Sequence, residues 1–66
     1  MNNMPLAIMV IAAELKRDII TKGTSIPDFI KQYPEIIDFP KEHYDYIVGQ
    51  GKKILLAMEQ ERNERH

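Results

Sequence analysis

The chain has no cysteine and no tryptophan, only three glycines, and five aromatic residues among 66. Without cysteine there is no thiolate nucleophile, no zinc knuckle and no disulfide scaffold. No charge of one sign dominates either. Nine Lys+Arg stand against ten Asp+Glu, for a formal net charge of −1, which supplies little of the phosphate neutralisation that drives nucleic-acid affinity. A long hydrophobic run is missing as well. The apolar stretch Leu6–Ala13 ends at Glu14, whereas a membrane-spanning helix needs about 20 apolar residues and a secretory leader has a cationic segment ahead of its apolar one. The expectation is a single small soluble domain in the cytoplasm.

What is present is 44% hydrophobic residues, patterned with helical periods. Domains this short bury only about 60% of their unfolded surface, so self-association is expected from length alone. Ten isoleucines against four leucines and two valines carry no functional reading.

Three segments separate at proline, glycine and small polar residues. The first is expected to be a helix over about 4–22, with Asn3 as cap, Pro5 in the first turn and Gly23 as the left-handed residue that ends it. Ile8, Ile11, Leu15 and Ile19 form one stripe, widened by Met9, Ala13 and Ile20, with Glu14, Arg17, Asp18 and Thr21 opposite. Glu14 with Arg17 and Asp18 with Lys22 have the spacing of helix-surface pairs. The second helix, 25–33, opens on Ser25 and Asp28 in capping-box spacing, carries Ile26, Phe29, Ile30 and Tyr33 on one face, and is stopped by Pro34. Ile36 and Ile37 are expected to pack down onto the other helices.

The third helix, 39–63, is expected to start from Asp38 as cap with Pro40 in its first turn, and to present Tyr44, Ile47, Val48, Ile54, Leu55 and Met58 on its apolar face. Gly49 and Gly51 interrupt it, which leaves two readings, a long helix with a soft spot or two helices meeting there; the continuous helix is preferred. Gly51 falls on the apolar stripe, where a missing side chain admits close approach of another backbone. The polar tail 59–66, with Glu61 and Arg65 in pairing register, is expected to fray. No run alternates with period two, so the fold class is all-α: a compact three-helix domain.

Catalytic signals are poor. Ser25 is the only serine and already has a capping role, and no orienting residue stands in register to join it with His43 in a nucleophilic constellation. His43 has no second histidine or carboxylate four residues away to make a helical metal pair, so neither a metal nor a cofactor is expected. Gly49-Gln50-Gly51-Lys52-Lys53 resembles a phosphate loop only loosely: the upstream glycine is misplaced, no Ser or Thr follows the lysine, and no strand precedes it. Glu42 and Asp45 read as a solvated charged surface rather than a carboxylate pair for acid–base work.

Two binding readings remain. The preferred one is a non-enzymatic protein-interaction module, an adaptor, inhibitor or subunit, associating with itself or a protein partner through the first helix, which is apolar nearly all round. Its candidate interface residues are Met4, Leu6, Ile8, Met9 and Ile11, with Tyr44 and Tyr46 as aromatic anchors. The alternative is a helix-turn-helix DNA reader, with Lys41, His43, Gln50, Lys52 and Lys53 on bases or phosphates. Against it stand Glu42 and Asp45 on the reading helix and a connection longer than the usual three or four residues.

Overall fold

The computed structural model describes residues 4–64. Three α-helices follow one another, α1 (Leu6–Lys22), α2 (Ile26–Gln32) and α3 (Lys41–Glu64), with a 3-10 turn over Pro34–Asp38 between the last two. The all-α, three-helix architecture expected from periodicity is the architecture present, with no strand among the described residues.

Helix α1 starts later than its sequence pattern suggests. Pro5 holds an extended ψ of 144° and occupies the cap position; its carbonyl accepts from Ile8 and Met9 N–H at 3.1 and 3.2 Å. Asn3, the expected cap, lies outside the described residues. At the other end Gly23 has φ 69°, a left-handed conformation that costs an L side chain roughly 1–2 kcal/mol. It closes the helix through its own N–H to Ile19 O at 3.2 Å and Thr24 N–H to Asp18 O at 3.3 Å.

Ser25 caps α2, its Oγ accepting from Asp28 N–H at 3.2 Å. This is half of the expected capping box; a return bond from the Asp28 side chain is not among the bonds of the described residues. Pro34 ends the helix by opening the 3-10 turn. The turn divides its two isoleucines: Ile36 is fully buried, whereas Ile37 is 66% exposed. The expectation that both pack inward therefore holds for one only. Five residues of 3-10 backbone cannot aim adjacent side chains the same way, because successive residues are rotated by about 120°.

Asp38 ends the 3-10 turn and does not cap α3. The carbonyl of Pro40 does so, accepting from His43 and Tyr44 N–H at 2.9 and 3.0 Å. From Lys41 the helix runs unbroken through Gly49 and Gly51 to Glu64. Residues 59–64, expected to fray, are helical; Arg65, the proposed partner of Glu61, lies outside the described residues.

One core joins the elements: Ile8, Ala12, Leu15 and Ile19 from α1, Phe29 from α2, Ile36 from the turn and Ile47 from α3. Ile26, Ile30, Tyr33, Phe39, Tyr44, Tyr46, Ile54 and Met58 pack around it. The ring centroids of Phe29 and Tyr33 are 4.8 Å apart with planes tilted by 41°, within the range of favourable aromatic pairs. Gly51 is buried where α3 passes α1. A Cβ there would meet Leu15 Cδ2 at 2.7 Å and Ile26 Cδ1 at 3.2 Å. The close approach expected at Gly51 is thus present, made by two side chains rather than by a backbone.

This core is one layer deep. The Cα trace extends 41 × 29 × 16 Å, and the accessible surface is 5126 Å², against about 4,300 Å² from the usual scaling for a folded chain of this mass. Helix α3, 24 residues long, spans about 36 Å and outreaches the 17-residue α1 by about 10 Å. Every residue from Glu59 to Asn63 is exposed.

Candidate interaction surface

Two apolar faces share α1. Steps of about 100° per residue gather Ile8, Ala12, Leu15 and Ile19 into a narrow buried arc, and these four are the helix's buried residues. About 140° away the same geometry aligns Leu6, Met9, Val10, Ala13, Arg17 and Ile20. Each of them is exposed, and the large apolar members stay in water to a considerable degree: Leu6 75%, Met9 45%, Val10 51% and Ile20 56%. A helix apolar on two sides, in a molecule with one layer of core, fills only one of them internally.

The expected interface residues fall on both sides of that division. Leu6 and Met9 belong to the exposed stripe. Ile8, at 6% exposure, belongs to the core and is corrected from interface to packing residue. Met4 and Ile11 are half-buried and lie against the core. Tyr44 and Tyr46, expected as aromatic anchors, are likewise half-buried core neighbours. Sequence periodicity missed Val10 and assigned Ala13 and Ile20 to the inner stripe. The available signal was angular: 6, 9, 10, 13, 17 and 20 share an arc that excludes 8, 12, 15 and 19.

Charge enters the stripe at Arg17 and borders it at Glu14. Glu14 and Arg17 are both exposed, and the pair expected between them is not formed; the ion pairs of the described residues are Lys22–Asp18 at 3.9 Å and Lys41–Asp45 at 3.0 Å. Three residues along a helix leave these two heads on the same side, free to reach outward.

The residues of the DNA reading are arranged differently. Lys41 is held by Asp45 on its own helix, and Gln50 accepts from Lys16 Nζ at 3.4 Å. His43 is half-buried, and Lys52 and Lys53 are exposed about three turns further along α3. The segment Gly49–Lys53 is helical throughout, so its N–H groups serve the helix rather than a ligand. Ser25 acts as a cap. Among the described residues no group of three His, Asp or Glu converges as metal ligands, and no helix is long and apolar enough to cross a membrane.

No family model, curated protein or solved structure matches this chain.

Proposed function

We propose that the protein is a small non-enzymatic interaction module that works by covering an apolar surface, with the outer stripe of α1 as its contact face and self-association as its first use. The observation that carries this reading is the line of exposed Leu6, Met9, Val10 and Ile20 on a helix whose other side already fills the core. Large apolar side chains aligned over four turns are a contact surface in a way that scattered ones are not. Met9 adds an adaptable thioether to that surface.

The DNA reading draws less support. Of its five residues, Lys41 and Gln50 already have side-chain partners within the chain, and Glu42 and Asp45 add negative charge on exposed positions of the same helix. Repulsion from phosphates then opposes whatever Lys52 and Lys53 contribute.

The test is Met9→Asp, compared with the native chain by sedimentation velocity and by affinity capture with and without nuclease. The expected result is a nuclease-resistant complex, homomeric or with a protein partner, that the variant fails to form although its circular dichroism is unchanged. Equal association by both chains overturns the reading, and so does capture that vanishes with nuclease.

A further inference from the structure

Five of the six residues of the outer stripe of α1 are placed symmetrically about one of them; the sixth, Val10, has half-buried Lys16 at its mirror position. Ala13 lies midway between Leu6 and Ile20, and midway between Met9 and Arg17, and all five are exposed. A surface with that spacing is complementary to itself when reversed, which is the requirement of an isologous two-fold contact. Resting on the docking role proposed for this face, we infer that its occupant is a second copy of the chain. The two α1 helices cross antiparallel at Ala13, and Arg17 of each copy pairs with Glu14 of the other.

Three observations converge on this pairing. Rotation about an axis through Ala13 stacks Leu6 on Ile20 of the partner subunit and lays Met9 along the aliphatic stem of its Arg17. The smallest side chain then stands where the helix axes come closest, so large residues interdigitate on either side of a small one.

Charge supplies the second. Glu14, at the edge of the stripe, and Arg17, within it, lie on the same side of Ala13, and neither has an ion-pair partner among the described residues. A two-fold axis perpendicular to both helices keeps like sides together, so each Glu14 faces the side that bears the other copy's Arg17. Their Cα positions are then about 7.5 Å apart along the axis, five residues of helix rise. Helical side chains lean toward their own N-terminus; in an antiparallel pair these two lean toward each other, which brings the heads within reach. In a parallel pair they lean the same way and the stripe loses its reciprocity.

Thickness is the third. The Cα trace is 16 Å through its thinnest direction, with a single layer of core and an accessible surface larger than its mass requires. Packing α1 on its copy makes a second layer. A stable dimer buries about 800 Å² per partner, and the stripe spans 15 of the 17 residues of α1.

The experiment is sedimentation equilibrium of the full chain, of Glu14→Arg, of Arg17→Glu and of the double reversal, with helicity checked for each. The native chain is expected to be dimeric, each single reversal to raise the dissociation constant at least about tenfold, and the double reversal to return it to within about threefold of native. Because the chain has no cysteine, Ala13→Cys is a clean second probe: it is expected to oxidise to a disulfide-linked dimer, while Lys53→Cys on α3 does not. A native dimer indifferent to both single reversals but dissociated by Met9→Asp overturns the two-fold register and leaves the docking face standing. A chain that stays monomeric at millimolar concentration overturns self-pairing outright, and capture of a protein partner lost in Met9→Asp then decides the wider reading separately.

Discussion

Leu15 of α1 occupies the space that a side chain on Gly51 of α3 would need: a Cβ at Gly51 would fall 2.7 Å from Leu15 Cδ2. Leu15 is fully buried, so its methyl would have to shift within the core, and Ile26 closes the other side at 3.2 Å. Gly51→Ala gains about 1 kcal/mol of helix propensity and incurs overpacking of about 1–3 kcal/mol. The expected net result is a destabilisation of up to about 2 kcal/mol in urea unfolding. Gly49 reverses the sign. Nothing lies within 4 Å of a Cβ placed there, so Gly49→Ala is expected to stabilise the protein by about 1 kcal/mol. Equal responses from the two glycines would contradict the packing of α3 on α1.

Ile36 and Ile37 are neighbours of identical chemistry, one fully buried and one 66% exposed. Ile36→Ala is expected to cost about 2–5 kcal/mol, a large share of the stability of a domain this small. Ile37→Ala is expected to change stability by less than about 0.5 kcal/mol. Chemical denaturation of the two variants checks this, and comparable losses would mean that the 3-10 turn is wrongly aimed.

Gly23 at φ 69° is the only described residue with positive φ. Its surroundings are open, so Gly23→Ala is expected to be penalised for backbone conformation alone, by about 1 kcal/mol. Gly23→Asn, which tolerates the left-handed region better, is expected to recover part of that loss in thermal melts.

Ile8 and Met9 adjoin in sequence and face opposite ways. Ile8→Asp places a carboxylate in the core and is expected to unfold the domain, since burying an unpaired charge costs more than a small domain's whole stability. Met9→Asp, at an exposed position, is expected to leave helicity and melting of the monomer unchanged. Circular dichroism at low protein concentration separates the two.

The parts of this fold that could be read from the chain are those set by local chemistry. Gly23 as a left-handed stop, Ser25 as a cap, Pro34 as a breaker and the Phe29 face of α2 each follow from a residue's own backbone or side-chain demands. Gly51 was legible too, because a glycine on an apolar stripe has few other uses. The inner face of α1 was not. Ile11 and Ala12 are adjacent, and a helix apolar nearly all round gives no internal reason to bury the smaller; α3 decides it, since Ala12 lies in the core and Ile11 only against it. Ile37 was misread for the same kind of reason, a property of the assembled turn and not of its composition. The start of α3 moved from Asp38 to Pro40 because the 3-10 turn had already claimed Asp38 as its last residue. Glu14 and Arg17 have the spacing of a pair yet stand apart, as exposed charges gain little by ordering two long side chains.

The contact of Gly51 with Leu15 also resolves an ambiguity inherent in pairing two helices. Apolar stripes repeat with every turn, so α1 and α3 slipped by about 5.4 Å would present nearly the same faces to each other. A notch at a single position removes that degeneracy, because only one leucine can seat in it. The missing side chain thereby indexes the two helices along their length, and the segment from Gly23 to Pro40 is relieved of that task. Ile26, within that segment, closes the same notch from the other side, so α2 takes its place from the aligned pair rather than setting it.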